Sequence, residues 1–193
     1  MKKILLILLC LPMICFAQLN VITKVADKEL KSYLQKIPYG QEHFFGFENR
    51  NEFSQSKIGV PVEVLTLSEN FFDDEKILKD KNYFISTGNW RVPVIVNNKY
   101  KALLTVAKEN NKWRIVKIGA KGLAQELDRF EQNHPSNTDI KILRVFQLKG
   151  DFILTSNNSI YPLTSASKGL LVDVNKSYSI HNILSLIKDN YEK

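Results

Sequence analysis

The sequence predicts an α+β fold: antiparallel β-meanders with about three helices packed on the sheet, in a single domain. Three observations lead there. Valine, isoleucine and leucine alternate with polar residues through 83–118 and 140–163, the two-residue period of half-buried strands. Asn97-Asn98, residues 108–111, Lys149-Gly150 and Asn157-Asn158 interrupt those runs, and asparagine and glycine tolerate the positive φ of tight antiparallel turns. Three further stretches, 25–37, 120–130 and 179–190, repeat apolar residues every three or four positions, as amphipathic helices do.

The chain opens with Lys2 and Lys3, an apolar run over 4–14, and then Cys15-Phe16-Ala17-Gln18. A basic start, a short apolar core and a small residue before a polar one form the pattern of a secretory signal peptide, with cleavage expected after Ala17. Residues 4–17 fall short of the roughly 20 that a membrane-spanning helix needs, so no transmembrane anchor is expected after cleavage. Lipidation of Cys10 or Cys15 is disfavoured by bulky Leu9 and Ile14 before them. The expected mature protein, residues 18–193, is exported to the periplasm or the medium. It keeps neither cysteine, so its core must hold it without disulfides. Removing the two signal lysines lowers the formal charge from +7 to +5. That mild excess suits solubility or an acidic partner and does not point to nucleic acid.

The elements follow in order. Leu30, Leu34 and Ile37 share a helical face over 25–37, with Asp27 and Glu29 near its start and Pro38 beyond its end. Residues 38–53 crowd Tyr39, Phe44, Phe45, Phe47 and Phe53 among two glycines and several charges, a composition that reads as a structured loop. Residues 58–67 alternate as a strand, and 68–80, with Phe71, Phe72, Ile77 and Leu78, suit one or two helical turns. A short strand over 83–86, a turn at Thr87-Gly88-Asn89, and strands over 92–96, 100–107 and 113–118 make the first meander. A second helix places Ala120, Leu123, Leu127 and Phe130 together and stops before His134-Pro135. Strands over 140–148, 152–155 and 159–163 make the second meander, and a last helix aligns Ile180, Ile183, Leu184, Ile187 and Tyr191.

Few residues propose chemistry. His43, His134 and His181 are far apart and match no metal-ligand spacing, so neither a metal nor a cofactor is expected. Ser165-Ala166-Ser167-Lys168 matches the S-x-x-K pattern of serine acyl-transfer enzymes of the penicillin-binding type, in which a lysine one turn away takes the serine proton. Gly169 follows directly and the companion motifs are missing, so a polar loop after a strand is expected there. Asp73-Asp74-Glu75 reads as an acidic first turn, and Glu126 with Asp128 as a solvated helix face. Asp173, Asn175, Ser177 and Ile180 resemble the start of an EF-hand or dockerin calcium loop, with oxygens at positions one, three and five. The chain departs from that pattern at Tyr178, where the family places glycine, and at Leu184, where it places an acidic ligand. A turn into a capped helix explains the same residues. The order of elements is similar to that of small exported modules such as cystatin-like or protease-propeptide domains, and this likeness carries no residue across.

Two surfaces suggest binding. Residues 91–121 hold eight basic side chains against one acid, and the parity of Lys99 with Lys101 and of Lys112 with Arg114 predicts a basic sheet face opposite a buried one of Tyr100, Leu104, Val106, Trp113 and Ile115. The loop joins Tyr39, His43, Phe44, Phe45, Phe47 and Arg50, a mixture common in interaction hot spots, with Trp90 and Arg91 as an extension. The expected function is that of an exported, non-catalytic protein binding a protein or other macromolecule, in an inhibitor-, immunity- or scaffold-like role. A small hydrolase with a site assembled only in three dimensions is the alternative, and a binder of a small apolar ligand is the third.

Overall fold

The computed structural model describes residues 2–74, 76–77, 82–136 and 139–191, with side chains from Ala17 onward. Glu75 and Leu78, named above, lie outside the described residues, as do the side chains of the apolar run. In chain order the elements are α1 (Lys2–Gln35), a 3-10 turn (Glu42–Phe45), α2 (Glu52–Gln55), β1 (Lys57–Ile58), β2 (Val62–Leu67), α3 (Glu69–Asp73) and β3 (Phe84–Val96). They continue with β4 (Lys99–Glu109), β5 (Lys112–Gly119), α4 (Lys121–Asn133), β6 (Ile140–Val145), β7 (Gly150–Thr155), β8 (Ser159–Pro162), α5 (Thr164–Leu170), β9 (Tyr178–Ser179) and α6 (Ile180–Tyr191). The fold is α+β. Hydrogen-bond ladders link the strands in the order β5-β4-β3-β2-β6-β7-β8-β9, with β1 on β3. β2 pairs with β6 in parallel, whereas β1–β3, β3–β4, β4–β5, β6–β7, β7–β8 and β8–β9 are antiparallel.

The chain divides into two compact units, residues 1–61 with 90–125 and residues 62–89 with 126–193. In the first, Ile22, Ala26, Leu30 and Leu34 recur every four residues along one face of α1. They pack on Trp90, Val92 and Val94 of β3, Ala102, Leu104 and Val106 of β4, and Ile115 of β5. Glu29 helps seat the helix by accepting the Ile115 backbone N–H at 3.1 Å. In the second unit, Leu65 and Leu67 of β2, Leu143 and Val145 of β6, and Phe152 and Leu154 of β7 form one apolar face, covered by Ala166 and Leu170 of α5 and Ile183, Leu184 and Ile187 of α6. On the opposite face Tyr161 of β8 meets Phe130 edge-on at 5.0 Å.

Both asparagine turns of the first meander form as expected: Asn97 and Asn98 have φ of 51° and 57°, and Asn110 and Asn111 have 51° and 61°. Other expectations are corrected. The first helix begins at Lys2 rather than Val25, because residues 18–24 hold neither glycine nor proline and Leu19 and Ile22 continue its apolar face. The turn expected at Gly88 does not reverse the chain. Gly88 keeps a φ of 71° inside the single strand β3, where Thr87 donates its hydroxyl to the Val64 carbonyl at 2.8 Å. Val60, expected in a strand, is exposed between β1 and β2, where Pro61 interrupts pairing. Residues 164–170, expected as a loop, form α5. Its Ala166 Cα lies 3.0 Å from the place a Cβ on Gly150 would occupy, so the bare glycine lets the helix settle on β7.

Candidate functional site: the aromatic loop

The loop between α1 and β1 is held from three directions. Arg50 donates to the carbonyls of Ile37 at 2.8 Å and Gln35 at 3.1 Å, capping the end of α1. The same guanidinium pairs with Glu42 at 3.0 Å and lies over the Tyr39 ring at 3.9 Å. Farther along, Glu52 is buried, accepts the Glu48 backbone N–H at 2.8 Å and pairs with Lys101 of β4 at 2.8 Å. Gly46 closes the 3-10 turn with φ of 93°, and a Cβ there would stand 2.0 Å from the Lys101 carbonyl oxygen. Only glycine meets both demands, so the loop lies directly on the β4 backbone.

This scaffold separates the rings. Phe47 is 1% exposed and meets Phe53 edge-on at 5.0 Å, and the pair completes the first unit's core. Phe45 is half-buried against that core. Tyr39 and Phe44, by contrast, are 84% and 68% exposed. His43 is exposed and tilts against Phe44, with ring centroids 3.9 Å apart. Its carbonyl accepts from Lys121 at 3.3 Å. The Glu42 carboxyl is held below the ordinary 4.5, first by its own backbone N–H and then, against partial desolvation, by Arg50 and the Gly40 backbone.

Trp90 does not extend this surface. It turns into the core, and its buried Nε1 has no hydrogen-bond partner. Arg91 lies on the other side of β3, donating to the Thr105 hydroxyl in a row that continues to Lys117. The expected basic face is also corrected. Leu104, Val106 and Ile115 are buried as predicted, but Lys101 sits at the β-bulge after Val94 and turns to Glu52. Lys99 is exposed at the start of β4, and Lys112 is exposed at the start of β5 opposite Glu109, the last residue of β4, roughly 30 Å away along the strand at about 3.3 Å per residue. Arg114 is exposed opposite Ala107. These cations form no single patch.

The motifs weighed for catalysis are occupied by local structure. Ser165 accepts the Asp151 backbone N–H at 2.9 Å and donates to the Asp151 carboxylate at 3.3 Å, while Lys168 is exposed. Asp173 accepts the Asn175 backbone N–H at 2.9 Å and faces Lys176 at 3.7 Å, as a turn into β9 requires. Among the described residues no group of three metal-ligating side chains is assembled. A cavity of about 310 Å³ in the second unit gathers Glu126, Phe130, His134 and Tyr161, which the sequence reading did not associate. The four-residue spacing of Glu126, Phe130 and His134 along one helix face was the available signal. His134 stacks on Phe130 at 4.4 Å and sets Nδ1 3.0 Å from the Phe130 carbonyl. A carbonyl only accepts, so Nδ1 carries the proton. Glu126 is engaged by the Thr164 backbone N–H at 2.8 Å.

Among the described residues, no helix is long and apolar enough to cross a membrane. Comparison with protein-family models, curated proteins and solved structures finds no match for this chain.

Proposed function

We propose that the chain is an exported, non-catalytic protein that binds a protein partner through Tyr39, His43 and Phe44. One observation carries this reading: two large rings, 84% and 68% exposed, stand on a loop whose backbone is pinned by Arg50 and by the Glu52–Lys101 pair. Rings held out by a rigid base lose little conformational freedom on binding and bring a large apolar area to an interface. The buried phenylalanines of the same loop hold the fold, which leaves the exposed ones free for recognition. Export rests on the start of the sequence, where Lys2 and Lys3, the apolar run over 4–14 and small Ala17 before Gln18 form the signal-peptide pattern.

The test is affinity capture from the envelope and medium of the source cells, comparing the wild type with a Tyr39→Ala/Phe44→Ala variant. A stoichiometric protein held by the wild type and lost by the folded variant is expected. A partner held equally by both overturns the loop as the interface. N-terminal sequencing of the secreted product checks the other half, with Gln18 as the expected first residue and an intact Met1 against it.

A further inference from the structure

We propose that one end of the second unit, carrying Phe146, Lys149, Lys168 and Leu171, docks on an anionic lipid bilayer: the two apolar side chains enter the headgroup region and the two lysines meet its phosphates. The proposal goes beyond the partner reading of the aromatic loop, which belongs to the first unit, and stands without it.

Two neighbouring turns build this end. The turn after β6 is closed by the Lys149 N–H on the Phe146 carbonyl at 3.1 Å. The other ends α5, where the Leu171 N–H reaches the Ser167 carbonyl at 2.9 Å and the Ser167 hydroxyl donates to the Val172 carbonyl. Successive contacts set the two segments side by side, running in opposite directions. Ser165 accepts the Asp151 N–H at 2.9 Å, Ala166 lies against Gly150, and the Leu148 carbonyl oxygen is 3.7 Å from the place a Cβ on Gly169 would occupy. Following both segments outward leads to Phe146 on one and Leu171 on the other.

Burial and backbone conformation single out these side chains. Val145, Leu170 and Val172 are buried, whereas Phe146 is 59% exposed and Leu171, between two buried neighbours, is 93% exposed. Its outward position is therefore fixed by the core on either side. Eight non-glycine residues among those described have positive φ, and five of them are asparagine, which suits a turn by itself. Ala120 is small; the two large exceptions, Lys149 at 52° and Leu171 at 55°, both fall on this end of the unit. The left-handed region is costly for a leucine, and asparagine or glycine would make the same turn at less cost. A strained, fully exposed leucine points to a use for its side chain outside the fold.

Charge selects the bilayer. Lys149 and Lys168 are exposed, and they are the only charged residues in 146–150 and 167–172. The next acids along the chain are engaged: Asp151 is buried and paired with Arg144 at 2.5 Å, and Asp173 faces Lys176 at 3.7 Å. Exposed apolar side chains flanked by lysines hold a protein at an anionic interface, because apolar area is buried at the acyl boundary while each ammonium is attracted to the surface.

Co-sedimentation with vesicles tests this, using the chain as recovered from secreting cells and vesicles of phosphatidylcholine with or without equimolar phosphatidylglycerol. Because α1 is the same in every variant, differences among variants report on this end of the second unit alone. The wild type is expected to prefer the anionic vesicles. Lysine near an anionic surface strengthens binding about five-fold, so Lys149→Gln/Lys168→Gln should bind them about 25-fold more weakly. Leu171→Gly should bind roughly ten-fold more weakly while folding at least as stably, and Tyr39→Ala/Phe44→Ala should bind as the wild type does. Equal binding by wild type and Leu171→Gly overturns the docking site. Wild-type binding indifferent to phosphatidylglycerol overturns the role of the lysines. A dimer that Leu171→Gly dissociates, with no vesicle binding, overturns the proposal and gives this face to a second copy of the chain.

Discussion

Two phenylalanines three positions apart in one loop have opposite duties. Phe47 is sealed in the core, so Phe47→Ala should destabilise the fold by about 3–5 kcal/mol, whereas Phe44→Ala at the surface should stay within about 0.5 kcal/mol, both read by urea unfolding. A similar contrast holds for the partners of Lys101. Glu52 is buried and Glu48 is 80% exposed at 3.6 Å from the same ammonium. Lys101→Met leaves the Glu52 charge without its cation and should cost about 3 kcal/mol, whereas Glu48→Ala should change stability by less than about 1 kcal/mol. Glu42 adds a pH dependence. Its folded-state pKa lies below 4.5, so its contribution is present above that pH and disappears as pH falls through the lower folded value. Glu42→Gln should therefore be less stable than the wild type near neutrality, and the two unfolding midpoints should converge in acid below pH 4.5; a constant gap across that range would contradict the assignment.

Elements were legible where local chemistry governs them. The Asn97-Asn98 and Asn110-Asn111 reversals were written in residues that accept positive φ, and the α4 stop was written in His134-Pro135. Gly88 offered the same kind of signal and misled, because the Thr87–Val64 hydrogen bond holds the strand straight through it. Helix α5 was hidden for a complementary reason: it is seven residues long, contains Gly169, and exists by packing Ala166 on Gly150. Leu171 ends that helix in the left-handed region, with φ of 55° and 93% exposure. Leu171→Gly relieves that conformation without removing a packed side chain and should raise stability by about 0.5–1 kcal/mol, measured as a higher thermal midpoint.

For the molecule as a whole, the α+β class, the two meanders and the packed face of the first helix followed from sequence periodicity alone, since alternation and four-residue spacing dictate which side chains must be buried together. The composition of residues 38–53 likewise marked them as a structured aromatic loop. Which rings face solvent was decided only by the fold, because burial of Phe47 and Trp90 and exposure of Tyr39 and Phe44 depend on where β4 passes beneath the loop. Dispersal of the basic residues was decided in the same way: parity describes one strand at a time, while a β-bulge and the length of β4 set where Lys99, Lys101 and Lys112 arrive. The Glu63–Lys141 pair joins residues 78 positions apart through a parallel ladder that no local pattern announces. Short-range order is encoded residue by residue, whereas long-range contact is chosen by the competition among all the surfaces that must be buried at once.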